Sequence, residues 1–155
     1  MKNEKKLRIG FIGAGGIGRA QMRSLQKFND VEMVAASDTS ADCLAKAQND
    51  HGVKKVYQNW KEMLEKEELD AVSVCTPNGC HAEHSIHALK SGAHVLVEKP
   101  LAMDAKEGEA MLAAEKRSGK KLIIAFQYRY HPKAQFLKKS VEKGDYGKIL
   151  FVRCS

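Results

Sequence analysis

The sequence is poor in aromatic residues, in cysteines and in long apolar runs. Phe, Trp and Tyr make up 6% of its 155 residues, and the lysines that give a net charge of +7 are interleaved with acids rather than with aromatic side chains. That pattern indicates a solvated surface and not a nucleic-acid-binding stripe. No apolar run is long enough to span a membrane, and no apolar segment of a secretory signal follows the charged residues 1–6. We therefore expect a cytoplasmic protein that binds neither nucleic acid nor membranes.

The four cysteines include no Cys-x-x-Cys pair, which predicts reduced thiols rather than a disulfide framework. Two of them, Cys75 and Cys154, lie in strand-like runs. His81 and His84 are three residues apart, a spacing that two ligands on one helix can have, but no matching carboxylate or cysteine pair accompanies them. The sequence predicts no metal site.

Short apolar runs alternate with segments of helical period, which is typical of βαβ units and a parallel sheet. The runs are almost continuously apolar, as expected for strands covered by helices on both faces. The predicted strands are residues 7–12, 31–37, 55–57, 71–75, 93–97 and 122–126. We predict a Rossmann-type doubly wound α/β domain over residues 1–126.

Helix signals fill the gaps between these strands. Apolar residues continue at helical spacing from Ile17 to Phe28. The other predicted helices run from the cap Ser40 to Gly52, over residues 60–64, from about 79 to 90, and from the capping box at Asp104 to Gly119.

The pattern changes after residue 126. Residues 127–132 are polar and aromatic, residues 134–143 have helical period, and residues 147–153 are strand-like. A strand with nothing to pair against is marginal. We expect residues 127–155 to be a linker and the first elements of a substrate domain that the sequence does not contain.

The motif Gly13-Ala14-Gly15-Gly16-Ile17-Gly18 follows the first predicted strand directly, and Asp38 stands 20 residues after its last glycine. This spacing is typical of dinucleotide binding. Gly13 turns the chain, Gly15 admits a pyrophosphate close to the backbone, and Gly18 lets the helix pack on the strand. The helix N-terminus favours the phosphates, and Asp38 accepts hydrogen bonds from the adenosine ribose. The alternative is a glycine-rich turn that binds nothing.

Asp38 also bears on the choice of cofactor. A carboxylate there repels the 2′-phosphate of NADP, and the next residues, Thr39 and Ser40, are uncharged. The sequence thus favours NAD. NADP stays an alternative, for which Arg19 and Lys46 are the nearby cations.

Three polar segments follow later strands, where a doubly wound sheet binds its ligand. They are Thr76-Pro77-Asn78, Glu98-Lys99-Pro100 and the segment that begins at Gln127. We expect them to line the nicotinamide half of the site.

With these motifs the chain resembles the glucose–fructose oxidoreductase/inositol 2-dehydrogenase (Gfo/Idh/MocA) family. The resemblance rests on the glycine motif, Thr76-Pro77-Asn78 with His81 behind it, Glu98-Lys99-Pro100 and residues 128–132. It implies a homo-oligomeric NAD(P)-dependent oxidoreductase acting on small-molecule sugars, polyols and related carbonyl compounds.

The resemblance also implies individual roles. Lys99 would be the catalytic residue that assists proton transfer, with a cis bond to Pro100 as a hypothesis, and Glu98 would fix ribose or backbone. His81 would lie near the nicotinamide loop. Family members complete the catalytic group with an Asp and a His of a second domain, which this sequence lacks. We expect cofactor binding without turnover by this chain alone. The alternative is a stand-alone nucleotide-binding redox sensor or regulatory module.

Overall fold

The computed structural model describes residues 6–153, which divide between Ala125 and Phe126 into two compact units. The first unit holds a six-stranded sheet in the order β3-β2-β1-β4-β5-β6, in which every neighbouring pair is parallel. The order reverses its direction between β1 and β4, as in a doubly wound fold. The Rossmann-type prediction is confirmed.

The observed strands lie close to the predicted runs. They are β1 Leu7–Ile12, β2 Val31–Ser37, β3 Lys55–Tyr57, β4 Ala71–Val74, β5 His94–Val97 and β6 Leu122–Ile124. The last three are one or two residues shorter than predicted. Their apolar runs extend past the ladder hydrogen bonds, so hydropathy alone overstates their length.

Helices connect these strands and cover both faces of the sheet. They are α1 Gly16–Leu25, α2 Ala41–His51, α3 Trp60–Lys66, α4 His81–Lys90 and α5 Ala105–Ser118. One apolar cluster joins Met22 of α1 and Leu44 of α2 to the sheet, and another joins Met63, Leu89 and Met111 of α3, α4 and α5 to it. This double covering explains why the strands are almost wholly apolar.

Predicted caps set several helix ends. The Ser40 side chain accepts a hydrogen bond from the N–H of Cys43, and Gly52 ends α2 at φ 71°. Asp104 accepts from the N–H of Glu107, and Gly119 ends α5 at φ 67°. These caps satisfy backbone groups that have no partner within the helix.

Two helices are shorter than the sequence predicts. Helix α1 ends at Leu25, and Phe28 beyond it is exposed. The fourth helix begins as a 3-10 turn over Asn78–Cys80 and becomes α-helical only at His81. In both places the sequence pattern typical of a helix extends over residues whose backbone is not α-helical.

The second unit contains a 3-10 turn at Gln127–Tyr130 and helix α6 at Pro132–Lys143. The predicted strand over residues 147–153 is wrong, because this segment has no strand partner among the described residues and forms no ladder. The strand-like run assigned to Cys154 lies outside the described residues. That residues 127–155 open a substrate domain stays a prediction.

None of the helices in residues 6–153 combines the length and the apolar character needed to cross a lipid bilayer.

Candidate functional site

A cleft of about 560 Å³ lies at the carboxyl ends of β1, β2 and β4 in the first unit. The loop after β1 contributes Gly13 and Gly15, and the loop after β2 contributes Asp38. Thr76 and Pro77 line it from the loop after β4. The cleft thus occupies the position where the strand order reverses, which is where doubly wound sheets bind ligands.

The glycine loop is shaped by two close approaches. A Cβ on Gly13, whose φ is 97°, would lie 2.6 Å from the carbonyl oxygen of Cys75, and one on Gly18 would lie 2.2 Å from that of Gly13. Apart from the adjoining stretch of chain, no atom of residues 6–153 lies within 4 Å of a Cβ added at Gly15 or Gly16. The first pair therefore packs the loop and helix, while the second pair leaves open space above the N-terminus of α1.

Asp38 binds the glycine loop directly. Its Oδ2 accepts a hydrogen bond from the N–H of Ala14 at 2.8 Å, and its Oδ1 accepts one from the N–H of Ser40 at 2.9 Å. Both oxygens are thus oriented by backbone donors, and the side chain stands at the wall of the cleft.

The two cations that the sequence suggested as neighbours of Asp38 are engaged with other groups of the protein. Arg19 donates to the carbonyl oxygen of Ala14 at 2.9 Å, and Lys46 pairs with Asp42 at 2.6 Å. Arg19 therefore braces the glycine loop, and Lys46 forms an exposed pair along α2.

His81 is fully buried and joins two loops. Its Nδ1 lies 2.7 Å from the carbonyl oxygen of Pro100, and its Nε2 lies 2.9 Å from that of Thr76. Both ring nitrogens are occupied by backbone, so in this arrangement the ring holds the Thr76 loop and the Pro100 loop together and offers no nitrogen to a ligand.

His84 forms part of the cleft wall, which the sequence did not predict. Its Nδ1 lies 3.0 Å from Thr76 Oγ1, and its ring stands 4.6 Å from that of Trp60. Burial lowers the pKa of His84, which favours the neutral ring. Trp60 begins α3, three residues after the last residue of β3, so its place close to a strand end was the signal that could have identified Trp60 as part of the cleft wall.

The segment at the end of β5 is held through Glu98. Glu98 Oε1 accepts a hydrogen bond from Gln21 Nε2 at 2.9 Å, and Oε2 accepts one from the N–H of Lys99 at 3.3 Å. The Lys99–Pro100 bond is cis, as hypothesised. Lys99 itself is exposed and makes no side-chain hydrogen bond or ion pair with the described residues.

The remaining predicted site residues lie as follows. Ile17 is an exposed residue in the first turn of α1, and Asn78 is exposed in the 3-10 turn before α4. Gln127 belongs to the second unit, at the start of its own 3-10 turn. Within residues 6–153, no three His, Cys, Asp or Glu side chains gather into a metal-binding group.

Comparison with known proteins gives one family. Residues 7–126 match the model of the Gfo/Idh/MocA oxidoreductase family, NAD-binding Rossmann fold. Myo-inositol 2-dehydrogenase of Thermotoga maritima is 34% identical over 92% of this chain and 42% of its own length.

Solved structures agree. Myo-inositol 2-dehydrogenase of Lactobacillus plantarum superposes with a TM-score of 0.89 at 35% identity, over 94% of this chain and 43% of that one. Scyllo-inositol dehydrogenase of Lactobacillus casei, solved with NAD(H) and scyllo-inositol, gives 0.88 at 26% identity over 94% and 43%. The resemblance is thus confirmed, and the NAD cofactor predicted from the motifs agrees with the NAD-binding description of the matched family. The chain spans less than half the length of these relatives.

Proposed function

The chain belongs to the Gfo/Idh/MocA family of oxidoreductases, and on that premise we propose that its cleft binds NAD(H) for hydride transfer with a sugar, a polyol or a related carbonyl compound. The observation that carries this proposal is the open space above Gly15 and Gly16, next to an Asp38 carboxylate that is already oriented. The pyrophosphate fits the former and the adenosine ribose the latter.

Asp38 supports NAD over NADP. A 2′-phosphate would be brought against its carboxylate, and like charges at contact distance repel strongly. Arg19 and Lys46 would have to leave Ala14 and Asp42 to neutralise that phosphate. NAD therefore binds with less rearrangement.

The loops after β4 and β5 would receive the nicotinamide half. We assign Thr76, Pro77 and Asn78 to one side and Glu98 to the ribose, with Gln127 as a further contact predicted from its sequence alone. His81 serves this half by holding both loops, because neither ring nitrogen is free.

Lys99 is the proposed catalytic residue. When bound, the nicotinamide accepts or gives the hydride at its C4. On oxidation, the substrate carbon would lose that hydride and its hydroxyl would lose a proton, and the Lys99 side chain would assist the transfer of that proton to water. On reduction both transfers run backwards. Lys99 is exposed and has no side-chain partner among residues 6–153, so it can take this position once substrate and cofactor are bound.

We propose that this chain alone binds cofactor without turnover, since the family resemblance supplies the remaining catalytic Asp and His from a second domain. An inositol or another polyol is the proposed substrate class, because relatives named for inositol match over 92% of this chain or more. Homo-oligomerisation of the whole protein, cytoplasmic location and the alternative role as a redox sensor stay predictions.

Trp60 offers a direct test of the binding position. It is the single tryptophan of the sequence and lines the cleft. Titration with NADH is expected to quench its fluorescence saturably and to excite emission from the nicotinamide by energy transfer. NADH that binds with no change in Trp60 emission would place the cofactor elsewhere, and absence of binding would overturn the proposal.

A further inference from the structure

Gln21 links the glycine-loop helix to the segment that carries Lys99. It lies in α1, three residues after Gly18, and its side chain is half-buried. The amide Nε2 donates to Glu98 Oε1 at 2.9 Å, and the amide Oε1 accepts from Ser73 Oγ at 2.5 Å. One side chain thus bridges α1, β4 and the end of β5.

The close packing of α1 makes this bridge possible. Because Gly18 has no Cβ, the helix approaches the Gly13 carbonyl and the Cys75 side chain, where a Cβ would lie 2.2 Å and 3.6 Å away respectively. Gln21 stands one turn further along the same helix, so its side chain reaches across β4 to β5. The glycine that shapes the phosphate loop therefore also brings Gln21 to Glu98.

The donors and acceptors fix the orientation of the amide. An ionised carboxylate only accepts hydrogen bonds, so Glu98 requires the NH₂ end of Gln21. The carbonyl end then faces Ser73, whose hydroxyl can donate to it. Cys75 Sγ lies 3.3 Å from Ser73 Oγ, and burial raises the pKa of Cys75 to about 11, so its S–H is retained as a donor to Ser73.

Glu98 connects Gln21 to the backbone of Lys99. Its second oxygen, Oε2, accepts from the N–H of Lys99, so the carboxylate is held at one end by Gln21 and at the other by the backbone of the catalytic segment. Without the Gln21 donor, the Glu98 carboxylate would be free to rotate, and it could then also leave the N–H of Lys99.

We propose that Gln21 is a positioning residue for the nicotinamide end of the site, acting through Glu98. This inference rests on the proposed function, in which Glu98 meets the nicotinamide ribose and Lys99 the substrate. Gln21 should therefore contribute to the affinity for the nicotinamide half of the cofactor and not to the affinity for the adenosine half.

The decisive variant is Gln21→Glu, which keeps the shape and replaces the donor with a second carboxylate. Gln26→Glu, the same change at the exposed end of α1, is the matched control. Affinities for NADH and for ADP are measured by calorimetry on the 155-residue chain at pH 8 and pH 6. ADP carries adenosine and pyrophosphate but lacks the nicotinamide ribose.

Gln21→Glu is expected to weaken NADH binding about tenfold at pH 8, the loss typical of a hydrogen bond to a charged group, and to leave ADP binding within about twofold. At pH 6 the loss should shrink, because two facing carboxylates take up a proton that replaces the missing donor. Gln26→Glu should bind both ligands like the wild type.

Three results would overturn the inference. An unchanged NADH affinity, or an equal loss for NADH and ADP, would show that Gln21 does not act on the nicotinamide half. A wild-type chain that binds neither ligand would overturn the proposed function as well, so the two failures differ. If thermal unfolding shows that Gln21→Glu is not folded, Gln21→Met is used in its place, because methionine has a similar length and no hydrogen-bond donor. The same ratio of NADH affinity to ADP affinity then tests the inference.

Discussion

Asp38 Oδ2 accepts a hydrogen bond from the backbone N–H of Ala14 at 2.8 Å. The contact ties the end of β2 to the middle of the glycine loop, over 24 residues of sequence. The carboxylate proposed to select the cofactor is therefore also a structural acceptor for the loop that would hold the phosphates. A change at Asp38 should therefore affect both the affinity for the cofactor and the order of the glycine loop.

Asp38→Asn should reveal the structural half of this role. Both carboxylate oxygens face backbone N–H donors, and an amide can present only one oxygen to them. We expect the free energy of unfolding to fall by about 1–2 kcal/mol, the cost of one unpaired donor. Urea unfolding measures it. Asp42→Asn removes only an exposed pair with Lys46 and should change the free energy little; equal effects of the two substitutions would contradict this role of Asp38.

Gly15→Ala and Gly18→Ala should separate binding from folding. A Cβ at Gly18 would collide with the Gly13 carbonyl, whereas one at Gly15, where φ is −67°, would meet no atom of the described residues beyond its chain neighbours. We expect Gly18→Ala to lower the melting temperature clearly. Gly15→Ala should lower the melting temperature much less than Gly18→Ala, yet lose NADH affinity because its methyl group fills the phosphate space.

Thermal unfolding and NADH titration of both variants check this prediction. Gly108→Ala, at an open position inside α5, is the control that should gain stability by about 0.5–1 kcal/mol. Full NADH affinity in Gly15→Ala would mean that the phosphates do not approach this glycine.

His84 should make stability depend on pH. Burial lowers its pKa from the usual 6.5, so below that value the unfolded chain binds a proton that the folded chain still refuses. The nearby positive charges of His81, His87 and Lys61 act in the same direction, and Glu83 opposes them. The free energy of unfolding should therefore fall as the pH drops from about 6.5 toward the lowered folded pKa.

Urea unfolding between pH 7.5 and pH 5 measures this slope. His84→Gln should flatten it, while His94→Gln, a substitution of an exposed histidine, should leave it in place. An unaltered slope in His84→Gln would assign the pH dependence to other groups.

Much of the first unit follows from the sequence, because local rules and the fold agree there. Apolar runs located all six strands, and the glycine motif, Ser40, Gly52 and Gly119 located helix ends by chemistry that acts within a few residues. Several strand and helix ends shifted by one to three residues, among them the end of α1 and the start of α4. The strand ends depend on ladder partners and not on hydropathy.

Contacts between distant segments could not be predicted from the sequence. Nothing in the pattern shows that Gln21 reaches Glu98 or that His81 spans Thr76 and Pro100, since these contacts arise only once α1, β4 and β5 are packed together. The prediction of a strand over residues 147–153 is wrong for a related reason, because a segment with strand propensity forms a strand only against a partner strand.

The central claim is that the cleft binds NAD(H) and that Asp38 selects it over NADP(H). Calorimetric titration of the 155-residue chain with NADH and NADPH tests it most directly, with Asp38→Ala as the paired variant. We predict that the wild type binds NADH more tightly than NADPH. In Asp38→Ala the affinity for NADH should fall, so the difference between the two affinities should become smaller. Equal or tighter NADPH binding by the wild type would contradict the selection, and failure of both to bind would contradict the site itself.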